Sequence, residues 1–123
     1  MKSALITLLL FLVITFTQAQ QSAVLEPIDV FDLEYASDPQ IAPNGGKVVY
    51  VRNFKDIMTD KNRSNLWIID AGGGNHRPLT TGMESDHSPR WSPDGKKLLY
   101  VSSKEESSQL YLRWMDNGME ARL

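Results

Sequence analysis

The sequence predicts an all-β fold made of four-stranded antiparallel propeller blades. It holds one complete and one nearly complete blade of an incomplete β-propeller, preceded by a signal peptide and a short helix. The main observation is an internal repeat: Ser37 to Val51 recurs as Asp86 to Val101, and Asn65 to Asp70 recurs as Gln109 to Trp114. Pro39 maps to Pro89, 50 residues on, whereas Leu66 maps to Leu110 and Leu79 to Leu123, 44 residues on. The six-residue shortfall is assigned to a longer loop in the first copy. Also telling are the second strands, Val48-Val49-Tyr50-Val51 and Leu98-Leu99-Tyr100-Val101, which are continuously apolar instead of alternating. Such runs fit a sheet covered on both faces, and a narrow sheet repeated at this period and covered on both sides is a blade between neighbouring blades. A helical solenoid is disfavoured because the runs are short, β-branched or aromatic, and bounded by Pro and Gly.

In chain order, residues 1–19 read as an export signal. Lys2 supplies the basic start, Ala4 to Phe16 is an apolar run too short to span a bilayer, and Thr17-Gln18-Ala19 offers small residues before a cut. Residues 20–36 form a leader with a short helix, for which Asp29 is a candidate cap and Asp32 lies near the positive end. Residues 37–82 form the first blade and 83–123 the second. In the second blade Arg90-Trp91-Ser92 is a strand, Pro93-Asp94-Gly95-Lys96 a turn and Lys97 to Ser102 the next strand. Pro43-Asn44-Gly45-Gly46 fills the same turn in the first blade. Third strands are expected at Leu66 to Asp70 and Leu110 to Trp114, with turns at Ala71 to Gly74 and Asp116 to Gly118. Fourth strands are expected at His76 to Thr80 and Met119 to Leu123.

Two blades do not close a ring, which takes roughly 4 to 8. The second copy stops before any counterpart of Thr80-Thr81-Gly82, so a fragment of a longer array, poorly stable by itself, is expected.

The bulk properties restrict function. There are 13 Lys and Arg against 15 Asp and Glu, net charge −2, and removal of residues 1–19 takes one Lys away to leave −3. That balance argues against nucleic acid as a partner. The chain has no cysteine, which excludes disulfides and thiolate chemistry. Export to a periplasm or the extracellular space is expected, with no membrane association after the signal is cut.

No residue stands out as catalytic, cofactor-binding or metal-binding. Ser92 and Ser102 lack the flanking glycines of a nucleophile elbow and are expected to make local backbone bonds. His76 and His87 are surface or blade-edge residues, and Glu84-Ser85-Asp86-His87 lacks a metal-ligand spacing. Gly72-Gly73-Gly74 lacks the Lys and following helix of a phosphate loop and reads as a hairpin turn. Glu105-Glu106 reads as a solvated loop, with binding of a ligand amine as the alternative. Trp67 and Trp91 occupy repeat positions and are explained by inter-blade packing, while Trp114 is left undecided.

Trp91-Ser92-Pro93-Asp94-Gly95-Lys96 followed by an apolar strand is similar to the blade repeat of periplasmic and peptidase propellers. More narrowly, Leu33 to Ile41, Asn65 to Asp70 and Leu110 to Asp116 resemble the start of exported bacterial peptidases of the prolyl oligopeptidase family, in its acylaminoacyl and dipeptidyl branch. Asn44-Gly45-Gly46 in place of Asp-Gly-Lys is a minor departure. The resemblance implies an N-terminal propeller that gates short peptides into a C-terminal α/β-hydrolase domain, whose serine, histidine base and oxyanion hole carry out acyl transfer. None of those positions lies in this chain, which by itself is expected to hydrolyse nothing. The alternative is a noncatalytic Tol-type periplasmic propeller binding protein partners through its rim. That type carries a separate α/β domain ahead of its blades, and only about eighteen residues lie between the expected cut and the first blade here. A free-standing two-blade binding module is a third reading, disfavoured by the open ring.

Overall fold

The computed structural model describes residues 24–105 and 107–123. The expected signal peptide lies outside them. Eight strands follow a 3₁₀ turn at Pro27–Phe31: β1 Tyr35–Ile41, β2 Lys47–Asp56, β3 Lys61–Asp70, β4 Arg77–Pro78, β5 Asp86–Trp91, β6 Lys97–Ser102, β7 Gln109–Trp114 and β8 Glu120–Arg122. They form two four-stranded antiparallel sheets, each in sequential order, β1 to β4 and β5 to β8. Each sheet is one blade, as the repeat predicts.

The repeated turns explain why two different peptides fold alike. Pro43-Asn44-Gly45-Gly46 and Pro93-Asp94-Gly95-Lys96 both put a glycine at positive φ, +73° for Gly45 and +67° for Gly95. In both, a side-chain oxygen two residues back accepts a backbone N–H: Asn44 Oδ1 from Gly46 at 2.9 Å, and Asp94 Oδ1 from Lys96 at 3.0 Å. The first strands share a bulge, with the register slipping between Ser37 and Gln40 and between His87 and Arg90. The bulged residues, Asp38 at φ +45° and Ser88 at φ +56°, each precede a proline that has no N–H for the ladder.

Several expectations are corrected. The six extra residues of the first blade do not make a longer loop: β2 and β3 have 10 residues each against 6 in β6 and β7, so they extend a paired ribbon. The ribbon turn is held by Asp56, whose carboxylate accepts the Met58 N–H at 3.0 Å and the Thr59 hydroxyl. The first strands start earlier than expected, at Tyr35 and Asp86, and Ser92 lies outside β5. The fourth strands are shorter, so His76, Leu79 and Thr80 flank β4 and Met119 and Leu123 flank β8. The short helix is 3₁₀ and starts before Asp29; Asp29 lies within its first turn and accepts the Glu26 N–H at 2.7 Å.

The core lies between the blades. Val49, Val51, Leu66, Ile68 and Leu79 of the first pack against Leu98, Tyr100 and Tyr111 of the second, with Trp91 and Met115 at the edge. The second strands therefore alternate between buried and half-buried residues, since each has one face in this seam and the other facing outward. Repeat partners thus differ in burial: Leu66 is 0% exposed and Leu110 is 45% exposed. Leu66→Ala is expected to cost about 2–5 kcal/mol of stability and Leu110→Ala about 1 kcal/mol or less, read from urea unfolding midpoints of the chain.

Candidate functional site

The candidate site is the seam between the blades and the outward face of the first blade, where the seam's tyrosine pairing recurs. Across the seam β5 lies against β1, β2 and β3 of the first blade, while β4 and β8 make no such approach. The blades therefore splay from a shared inner edge. Two links fasten β5 to β1, and between β3 and β5 the Ser64 hydroxyl donates to the Asp86 carbonyl at 2.9 Å. The Arg90 guanidinium donates to both carboxylate oxygens of Asp38, at 3.1 and 2.9 Å, and the Trp91 indole N–H donates to the Gln40 carbonyl at 3.0 Å. Behind them lies a cleft of about 390 Å³ whose walls include Lys47, Ile68, Arg77, Trp91 and Met115.

Away from that edge, the repeat carries a polar pair. The Tyr100 hydroxyl donates to Glu120 Oε1 at 2.8 Å, and Tyr50 is bonded to His76 Nε2 at 2.6 Å. His76 and Glu120 are equivalent repeat positions, like Tyr50 and Tyr100. Glu120 also receives Lys104 at 2.6 Å and Arg113 at 2.7 Å. Burial acts to raise the Glu120 carboxyl, but hydrogen bonds from Lys104, Tyr100 and Arg113 hold it below the ordinary value. The Tyr100 hydroxyl is pushed far up, chiefly by burial and then by the bond and charge of Glu120. It stays protonated and serves as a donor.

The outward face of the first blade forms a second concavity, about 310 Å³, lined by Glu34, Tyr35, Ala36, Tyr50, Arg52, Trp67 and His76. Arg52 pairs with Glu34 and its guanidinium carbon lies 5.3 Å from the Trp67 ring centre, while His76 lies 5.0 Å from that ring. Tyr50 is raised, mainly by burial.

The residues weighed from sequence are placed as follows. Ser92 donates to Asp94 at 2.6 Å and accepts the Lys97 N–H at 2.9 Å, and Ser102 accepts the Lys104 N–H at 3.3 Å; both make local bonds. His87 is exposed and bonded to Ser88 at 2.9 Å. Gly72 to Gly74 form the β3–β4 turn, closed by the Gly73 N–H on the Asp70 carbonyl at 2.8 Å. Glu105 is engaged by Arg122, and Glu106 lies outside the described residues. Trp91 belongs to the seam, Trp67 to the outward face of the first blade, and Trp114 lies 5.6 Å under the Lys97 ammonium. Among the described residues no group of three or more His, Cys, Asp and Glu could hold a metal ion.

Sequence reasoning missed Asp38–Arg90, because the pair joins residues 52 positions apart that occupy different repeat slots. It also missed Asp86, which is 0% exposed and has neither carboxylate oxygen hydrogen-bonded among the described residues. The Arg90 hydrogen bond, partly opposed by burial, holds the Asp38 carboxyl below its ordinary 3.8. A depressed carboxylate contributes stability that is complete above the unfolded-chain value and is lost as pH falls through the folded one. Arg90→Ala is therefore expected to flatten the loss of stability below about pH 4 and to leave that limb shallower than in the wild-type chain, measured by urea titration at stepped pH.

No family model matches the chain. It is 37% identical over 95 residues to the uncharacterized peptidase YuxL of Bacillus subtilis, covering 76% of this chain and 14% of that protein. It is 30% identical over 93 residues to dipeptidyl-peptidase 5 of Porphyromonas endodontalis, again 76% of this chain and 14% of the relative. Among solved structures, the β-propeller domain of the trilobed protease from Pyrococcus furiosus superposes with a TM-score of 0.59 at 25% identity, over 72% of this chain and 27% of that one. The chain thus spans about one seventh of the length of these curated relatives. Two repeat-related blades, fastened along one edge and similar in sequence over both, are a propeller segment homologous to peptidases of the prolyl oligopeptidase family, dipeptidyl-peptidase 5 among them.

Proposed function

We propose that the chain is the N-terminal propeller portion of a secreted or periplasmic serine peptidase. In this reading it gates the access of short peptides to a C-terminal α/β-hydrolase domain encoded by further sequence. The observation that carries the reading is the 95-residue similarity to a peptidase, which is longer than either blade and so runs through both.

The way the blades splay from a shared edge supports the gating role. Blades that meet along their first strands surround a central channel when enough of them close a ring. The wall then consists of β1, β5 and their counterparts, and the Asp38–Arg90 and Trp91–Gln40 links keep neighbouring strands from parting. A peptide short enough to pass reaches the catalytic domain; a folded protein does not. The hydrolase domain supplies the nucleophile, the histidine base and the oxyanion donors, and this segment supplies selection by size.

The test uses the longer protein that carries this segment. It is expected to cleave short peptide amides, to be inactivated by a serine-directed phosphonate, and to carry Gly-x-Ser-x-Gly after further blades. Arg90→Ala should raise kcat/KM for peptides of about twenty residues relative to dipeptides several-fold, since the wall loosens. Blades followed by a stop codon, with no hydrolysis, would overturn the reading in favour of a partner-binding propeller. The 123-residue chain alone is expected to release no product from the same peptides. Export is checked by N-terminal sequencing of the protein from periplasm or medium, with Gln20 as the expected first residue.

A further inference from the structure

The cleft behind the Trp91–Gln40 link has one wall on each blade, and the two walls carry opposite charge. The first blade contributes Lys47, Ile68 and Arg77, and the second contributes Trp91, Asp94 and Met115. The two glycine turns meet at its rim, where a Cβ on Gly95 would lie 3.4 Å from Pro43 Cδ. Further blades pack on the other faces of these two sheets, so a longer protein keeps both walls as they are.

The charges along the cleft are unevenly satisfied. Lys47 donates to Asp70 Oδ1 at 2.6 Å and Asn75 donates to Oδ2 at 2.5 Å, so that lysine and that aspartate answer one another. Arg77 stands opposite Ile68 in the β3–β4 ladder, on the seam side of the sheet, and among the described residues its guanidinium has no hydrogen bond or ion pair. On the facing wall Asp94 Oδ1 accepts the Ser92 hydroxyl at 2.6 Å and the Lys96 N–H at 3.0 Å, which leaves Oδ2 for another donor. The Ser92 and Lys96 bonds hold the Asp94 carboxyl below its ordinary value, so it is ionised at neutral pH. Neither charge is common to both copies of the repeat: Ala121 stands in the place of Arg77, and Asn44 in the place of Asp94.

A ligand that answers these walls has an anion at one end, a cation at the other and apolar bulk between. The two termini of a free amino acid sit on a single carbon and do not reach both walls. A dipeptide spans about 7 Å, and a cleft of about 390 Å³ is about 7 Å across. We propose that the cleft binds a dipeptide with apolar side chains, its carboxylate on the Arg77 guanidinium, its ammonium on Asp94 Oδ2 and its side chains against Ile68, Trp91 and Met115. The planar fork of arginine matches a carboxylate, and an ionised partner at each end makes both hydrogen bonds charge-assisted. This goes beyond the peptidase reading and does not depend on it, since the walls belong to the two blades alone.

The test is isothermal titration calorimetry with the dipeptide Leu-Phe on the longer protein that carries this segment, treated beforehand with the serine-directed phosphonate so that no peptide is consumed. A protein that does not react with the phosphonate is titrated in the same way, so the peptidase reading is judged separately. Arg77→Gln and Asp94→Asn should each weaken Leu-Phe binding roughly tenfold. Both variants are expected to melt with the wild type, because Arg77 is exposed and Asn44 already holds the matching turn of the first blade. Leu-Phe amide, which has no carboxylate, should bind the wild type roughly tenfold more weakly and be indifferent to Arg77→Gln, and acetyl-Leu-Phe should behave likewise toward Asp94→Asn. Gly-Gly, with both charges and no apolar bulk, should also bind at least about tenfold more weakly than Leu-Phe. No binding of Leu-Phe at millimolar concentration, an affinity that either substitution leaves unchanged, or capped peptides that bind as well as the free one would each overturn the proposal. If a variant melts early, the capped peptides decide on the wild-type protein, which they leave unaltered.

Discussion

The packing of one sheet face on a different sheet face is the constraint on which the rest of this structure depends. Neither blade has an apolar interior of its own; the core side chains of one are covered by the other. A four-stranded sheet has two apolar faces, and among the described residues the helical turn Pro27–Phe31 buries no side chain against either, so its stability is borrowed from a neighbour. This accounts for the alternating burial of β2 and β6, and for the exposure of aliphatic side chains whose repeat partners are fully enclosed.

Polar groups in the seam are arranged to follow that packing. Tyr100 carries its hydroxyl into a buried setting and finds Glu120 there, and Glu120 is in turn held by Lys104 and Arg113. A phenol enclosed without an acceptor would cost on the order of 1–3 kcal/mol, and the carboxylate removes that cost while being neutralised by two cations. The first blade repeats the geometry with different chemistry, histidine standing for glutamate beside Tyr50. Conserving the position of the partner and changing its charge is what two copies of one unit do when only the tyrosine needs to be satisfied.

Along the inner edge the requirement is alignment. The bulges at Asp38 and Ser88 twist the first strands, and the prolines after them remove N–H groups from the ladder. Arg90 then reaches back to Asp38, and Trp91 to the Gln40 carbonyl, so the edge is tied by groups that the bulge itself has turned into position. A channel wall for peptides, as proposed, draws on the same feature that holds the two blades in register.

The amino-acid sequence by itself determined the repeat, the blade type, the turns at Pro43 to Gly46 and Pro93 to Lys96, and the span of β6 from Lys97 to Ser102. Each of these follows from local chemistry: proline and glycine dihedrals, side-chain to backbone bonds two residues apart, and short β-branched or aromatic runs. The lengthened ribbon of β2 and β3 was not legible, because the stretch from Arg52 to Ser64 has no regular apolar pattern and is held by backbone bonds, the Asp56 turn and the Asp56–Arg63 ion pair. Nor was the choice of which half of each apolar run lies in the seam, since Val48 and Val49 look alike until a second blade covers one of them. The tertiary structure alone decided the Asp38–Arg90 tie and the enclosure of Asp86, which depend on the stacking of the two sheets, and the tyrosine partners, which each sheet brings together from its second strand and the chain at its fourth.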